Sequence, residues 1–367
     1  MLHCYLEGLP LLYRKSVDTL SPYVPGFQPA MDGSVIKINS NENPYPPSPK
    51  VKELLGGFDF RQLRYYPDAT SQPLRELIGA QHGLSSRQVL CGNGSDEVIS
   101  LIFKVFFEQG DTVATPYPTY TFYKSVADII NVKVAFVDTA EDFVIDLQGL
   151  VNTGAKGIFI ANPNAQTGRL LPLQSIEELL NRYNGLVVID EAYIDFAGQQ
   201  SSAVHLIGAY PNLIVLRTLS KSYSLCGIRV GFCIADESLI HAMDKCRDSY
   251  NVNHLSQIIA AAALSDQPYL ETTVERVVRS RDKLEDELHK LGFTVYPSHA
   301  NFLLCKPHQR SAADIYNYLK AQQIYVRHFD SPRLSDKLRI SIGTEEEVES
   351  LLRHLRQYLG SDAAAHT

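Results

Sequence analysis

The apolar positions of this chain change texture twice. Between residues 88 and 235 short apolar runs alternate with helix-patterned segments. The runs include 112–115, 133–137, 157–161, 186–189, 213–216 and 230–234, and each has the length and β-branched content of a buried strand. Segments 97–107 and 173–183 carry the i, i+3, i+4 spacing of amphipathic helices. This alternation predicts an α/β domain whose sheet is largely parallel. Beyond residue 235 the spacing predicts two long helical stretches, 237–264 and 269–291. A smaller α+β segment follows, with strands near 293–296, 300–304 and 337–343. Ahead of the alternating region, residues 37–47 read as a short strand running into a Pro/Asn loop. The expected organisation is an N-terminal arm over 1–35, a large α/β domain over 36–250 and a small α+β domain over 251–367.

Composition narrows the class. The chain has 367 residues, 45% hydrophobic and 20% charged, which suits a globular protein of two domains. A formal net charge of −7 gives no general attraction to nucleic acid or anionic membranes. No apolar stretch has the length of a membrane span, and residues 1–8 lack a signal-peptide pattern. The six cysteines are scattered without a CxxC pair, which fits reduced thiols in a cytoplasmic protein. No His or Cys grouping has the spacing of a metal site, so no metal is expected.

Candidate chemistry gathers at the ends of the predicted strands, where loops of a parallel sheet converge on one ligand. Gly92-Asn93-Gly94-Ser95-Asp96-Glu97 opens a helix and suits a phosphate, although the two acids alone are ordinary first-turn residues. Tyr117 in Pro116-Tyr117-Pro118-Thr119-Tyr120 can stack on a flat ring or belong to the core. Asn162 places an amide at the end of the 157–161 run. Asp190 follows four aliphatic residues. It either emerges into solvent or is buried against a cationic partner. Lys221, in Thr218-Leu219-Ser220-Lys221, precedes Gly227-Ile228-Arg229-Val230-Gly231. A lysine amine can form a Schiff base, a buried acid can hold a pyridine nitrogen protonated, and an arginine can hold a phosphate.

These motifs, in this order, resemble the fold-type I, pyridoxal-phosphate-dependent aminotransferases of class I/II over about residues 20–358. The strongest match is Ser220-Lys221 with Gly227-x-Arg229-x-Gly231. It is joined by Asn162-Pro163-Asn164-x-x-Thr167-Gly168, Asp190-Glu191-Ala192-Tyr193, Tyr66-Pro67-Asp68 and Leu338-Arg339-Ile340-Ser341. Within that superfamily the pattern is most similar to the histidinol-phosphate aminotransferases. Aromatic amino-acid aminotransferases and threonine-phosphate decarboxylases are the alternatives on the same fold.

The resemblance implies a large domain with a mostly parallel seven-stranded sheet, a smaller α+β domain and pyridoxal 5′-phosphate as cofactor. It implies Lys221 as the Schiff-base lysine and Asp190 as partner of the ring nitrogen. Asn162 and Tyr193 would bond the ring 3′ oxygen, and Tyr117 would stack on the ring. Gly94, Ser95, Asp96, Ser220 and Arg229 would hold the phosphate. Arg339 would clamp a substrate carboxylate, with Tyr23, Asn41 and Arg327 also facing substrate. Tyr66 would reach the partner site of a homodimer. Two departures stand out: Ala165-Gln166 where the family often has Asn-Pro, and Ser224 where it often has Gly.

Overall fold

The apolar runs between residues 88 and 235 become strands of one sheet. The computed structural model describes residues 33–360 together with 13, 14, 17, 18, 20 and 26–31. Strand β1 is Ile36–Lys37. The large sheet then takes β2 (Val89–Gly92), β3 (Thr112–Tyr117), β4 (Lys133–Asp138), β5 (Gly157–Ala161), β6 (Leu186–Asp190), β7 (Leu213–Thr218) and β8 (Gly231–Ala235). Its order is β2-β8-β7-β6-β5-β3-β4. Pairs from β7 to β4 are parallel, and only β8 runs against its neighbours. Strands β2, β5, β7 and β8 are buried along their whole length, as apolar runs covered on both faces require, and β7 also buries Arg217 and Thr218 at its end.

The direction of β8 matters for the site. Six strands deliver their carboxyl ends to one edge of the sheet, and β8 starts from that same edge. Thr218 and Gly92 both pair with Gly231 there. Lys221 therefore leaves β7, and Arg229 enters β8, at one rim. Gly231 has no room for a side chain: a Cβ would lie 2.3 Å from the Ser95 nitrogen. Its absence lets the start of helix Ser95–Phe106 rest against the strand.

Four strands, β9 (Phe293–Val295), β10 (Phe302–Pro307), β12 (Arg327–His328) and β13 (Leu338–Ser341), form an antiparallel second sheet. β11 (Ile324–Tyr325) pairs in parallel with β1, so residues 36–37 join the C-terminal half. One core gathers around the large sheet and takes in residues 252–264; another gathers Ile38, Val277 and the second sheet. Packing thus interleaves the chain across residue 250.

The stretch read as one helix over 237–264 is two, Glu237–Asp244 and His254–Leu264. Asn253 starts the second by accepting a hydrogen bond from the Ser256 N–H at 2.9 Å. Tyr250 stands at φ 56°, which no helix accommodates. The next long helix spans Gln267–Lys290. Among the described residues, no helix is long and apolar enough to cross a membrane.

Candidate active site

Two cavities meet at the rim of the large sheet. The inner one, about 150 Å³, is lined by Ser95, Asp96, Tyr120, Asp190, Ser220 and Arg229, among others. The outer one, about 350 Å³, includes Asn41, Tyr117, Gln166, Arg327, Phe329 and Arg339 in its wall. Lys221 and Tyr193 line both, as do Tyr120 and Ala165. The sequence-predicted residues from four strand ends therefore converge, with the lysine at the junction.

The inner cavity has an anionic and a cationic end. At the anionic end Asp190 is buried, and burial pushes its carboxyl up to about 6. The Tyr123 hydroxyl donates to it at 2.7 Å and the Ala192 N–H at 3.2 Å. Nothing in the sequence singled out Tyr123. It lies in helix Phe122–Ile129, 67 positions from its partner. At the cationic end the helix Ser95–Phe106 begins without a side-chain cap, and its first residues, Ser95 and Asp96, line the cavity. Arg229 sits beside them and donates to Asp96 at 3.1 Å. A Cβ on Gly94 would stand 2.5 Å from the Arg229 guanidinium, and Gly94 takes φ 86°.

The Lys221 ammonium donates to the Ser40 carbonyl at 3.3 Å. Behind it, Ser222 and Arg217 both bond Asp195, and Arg217 also faces Glu191 at 3.8 Å. Burial raises the Glu191 carboxyl to about 7. This buried charge group ties the segments after β6 and β7 together. Ser224 takes φ 60° and Arg229 φ 54°, in the left-handed region. Ser224 thus stands in a conformation that glycine adopts more cheaply. Ser224→Gly should stabilise the protein by up to about 1 kcal/mol, visible as a higher denaturant midpoint at unchanged slope.

Two expected roles are corrected by the packing. Tyr117 does not line the inner cavity: its hydroxyl donates to the Pro332 carbonyl at 3.2 Å, and its ring meets Phe136 edge-on. Tyr120 is the aromatic there, with its hydroxyl on Asp96 at 2.9 Å. Asn162 is buried in the turn, not aimed at the cavity. Its amide accepts from the Leu171 N–H at 2.7 Å and donates to the Leu171 carbonyl at 3.1 Å. The turn presents Ala165 to both cavities in its place.

In the outer cavity Arg339 donates to the Ala165 carbonyl at 2.9 Å and to Gln166 Oε1 at 3.1 Å. The Arg327 and Arg339 guanidinium groups each lie over the Phe329 ring, at 5.1 and 5.3 Å. Asn41 lines this cavity, but both ends of its amide bond protein groups. Tyr66 lies outside both cavities, 80% exposed and stacked on Tyr250 at 4.6 Å. Tyr23 lies outside the described residues.

A lysine between a cationic helix start with an arginine and a buried acid is what a phosphorylated pyridine aldehyde requires, and the cavity supplies each group separately. The model of the family "Aminotransferase class I and II" matches residues 33–355. The chain belongs to the class I and II aminotransferases. A histidinol-phosphate aminotransferase of Hydrogenovibrio crunogenus is 42% identical over 356 residues, covering 96% of this chain and 99% of that protein. One from Trichormus variabilis is 40% identical over 347 residues, covering 95% and 99%. The crystal structure of histidinol-phosphate aminotransferase from Sinorhizobium meliloti, in complex with pyridoxal-5′-phosphate, superposes with a TM-score of 0.86. It covers 96% of this chain and 99% of that one at 23% identity, and so attests the shared fold. As in this family, the cofactor of the present aminotransferase is pyridoxal phosphate.

Proposed function

We infer that this aminotransferase moves an amino group between L-histidinol phosphate and 2-oxoglutarate, giving imidazole acetol phosphate and L-glutamate, as a step of histidine biosynthesis. The observation that carries it is the pair of guanidinium groups, Arg327 and Arg339, on one wall of the outer cavity beside Lys221. Two different anions, a phosphate and a carboxylate, must each find a cation there. The names of the relatives about 40% identical over nearly the whole chain support the same substrate.

Bound pyridoxal phosphate supplies an amino-group carrier and an electron sink. The chain's own residues do the rest. Asp190, oriented by Tyr123, carries the negative charge that keeps a pyridine nitrogen protonated. The helix start at Ser95, with Ser220 and Arg229, holds the phosphate, and the Tyr120 ring covers one wall. Lys221 Nζ, at the junction of the cavities, takes the proton from the substrate Cα as general base and returns it. Arg339, fixed by Ala165 and Gln166, receives the carboxylate of glutamate, and Arg327 the phosphate of histidinol phosphate.

The same reading includes a homodimer. Phe60, Tyr65 and Tyr66 expose 71%, 63% and 80% of their surface, and Tyr66 stacks on the exposed Tyr250. An aromatic patch of this kind is what a second copy would cover, taking Tyr66 to the partner's site. A cytoplasmic location fits the biosynthetic role.

A half-reaction screen tests the substrate. Mixing holoenzyme with histidinol phosphate should bleach the visible cofactor band at concentrations where phenylalanine and tyrosine leave it intact. A preference for phenylalanine would assign an aromatic amino-acid aminotransferase instead. Carbon dioxide released from threonine phosphate would assign a decarboxylase.

A further inference from the structure

Asn41 and Tyr193 are 152 positions apart and meet in the wall of the outer cavity. Asn41 Nδ2 donates to the Tyr193 hydroxyl oxygen at 3.0 Å. Its Oδ1 accepts from Ser341 Oγ at 2.9 Å, while its backbone N–H donates to that same Oγ at 2.8 Å. Its carbonyl accepts from Asn301 Nδ2 at 3.0 Å. Asn41, Ser341 and Asn301 are each at most 3% exposed.

The network sets the direction of the Asn41 amide. Ser341 Oγ accepts from the backbone and has one hydrogen to give, which Oδ1 takes. A flipped amide would aim a second donor at Oγ and leave that hydrogen without an acceptor. With Nδ2 on Tyr193, the phenol oxygen is an acceptor toward Asn41, and its own hydrogen must point elsewhere. Among the described residues it has no protein acceptor, and the Tyr193 side chain faces both cavities, with Lys221 Nζ 5.6 Å from its ring. Asn162, the amide expected to share the work of Tyr193, bonds Leu171 instead.

We propose that Asn41 is a positioning residue which turns the Tyr193 hydroxyl into a fixed donor toward the ring oxygen of the bound cofactor. Ser341 and Asn301, from the C-terminal half, hold Asn41 in place. The inference rests on the cofactor reading above and adds a role for residues that do not touch the reacting atoms. A donor held on the ring oxygen competes for the lone pair that otherwise shares the proton on the Lys221 nitrogen. It therefore lowers the pH at which that nitrogen loses its proton. The donation from Asn41 also polarises the phenol and strengthens the bond it makes in turn.

The test is a pH titration of the visible absorbance of holoenzyme without substrate. Asn41→Ala should raise the midpoint by about half a unit. Asn41→Asp offers only acceptors, draws the phenol hydrogen to itself and should raise it further. Ser341→Ala, which deletes one hydroxyl, should raise it less and serves as the probe if Asn41→Ala does not fold. Midpoints unchanged in all folded variants would overturn the proposal. So would a higher KM for the amino donor with no midpoint shift, since that result makes Asn41 a substrate contact. A wild-type chain that forms no visible band with pyridoxal phosphate would instead overturn the cofactor reading.

Discussion

Lys221→Ala should lower turnover by about 10⁴-fold, the upper range for loss of a positioned general base, while the fold stays intact. Among the described residues the ammonium makes one hydrogen bond, to the Ser40 carbonyl at 3.3 Å, so alanine leaves no buried charge unpaired and stability should change little. The cradle at Ser95, Ser220 and Arg229 remains, so the variant should still bind pyridoxal phosphate, but release it on dialysis. Single-turnover absorbance with histidinol phosphate measures the chemical step, and equilibrium dialysis measures retention. Added primary amines should restore part of the proton transfer, because the site keeps its shape and lacks only the base. Turnover within tenfold of wild type would remove Lys221 from the chemistry.

Asp190→Asn should be the second large effect, and it should act in opposite directions on activity and on the cofactor-free fold. Removing one preorganised charge from a buried site costs about 10²–10³-fold in turnover. The stability effect follows from burial, which lifts the Asp190 carboxyl from the ordinary 3.8 to about 6. Between those values the folded chain binds more protons than the unfolded chain, so stability falls as pH rises through that window. A shift of this size is worth on the order of 3 kcal/mol, lost in full above pH 6. Asparagine has no such penalty. The cofactor-free variant should therefore be more stable than wild type at pH 8 and equal to it below pH 4. Glu191, raised to about 7 by burial, keeps its own slope in both proteins. Denaturant midpoints against pH check the sign. With cofactor bound the order should reverse, since a protonated ring nitrogen compensates the Asp190 carboxylate and finds no charge to pair with in the variant's neutral amide.

The frame of the site was legible because it is written in local pattern. Fully buried strands read as apolar runs, and each predicted run from Thr112 to Ile234 became a strand within two residues at either end. Asp190 and Lys221 sit where such runs stop, Ser95 follows β2, and Arg229 sits where the antiparallel β8 begins, so all four reach one rim by topology. What the pattern does not encode is which of several similar side chains in one loop turns inward. Tyr117 and Tyr120 are three residues apart; the Pro332 carbonyl, 215 positions from Tyr117, holds Tyr117 outside the inner cavity. Asn162 and Ala165 share a turn, and the Leu171 backbone takes the amide. Tyr123 and the Asn41–Ser341 pair escaped for the same reason. Their partners lie 67 and 300 positions away, and no periodicity links such distances.

The return strand β8 carries a consequence for the way the molecule is made. The proposed phosphate cradle joins Gly94 and Ser95, beside β2, to Arg229, which enters β8. The ion pair between Asp96 and Arg229 spans 133 positions of the chain. Since β8 inserts between β2 and β7, the early edge strand has no sheet to join until β8 has formed. A polypeptide emerging from the ribosome can therefore complete β3 to β7 and present Lys221 while still lacking the cradle. If that cradle captures the cofactor, capture waits for the segment 229–235, so holoenzyme assembly should be a late event in synthesis, and chains cut short before it should lack their cofactor.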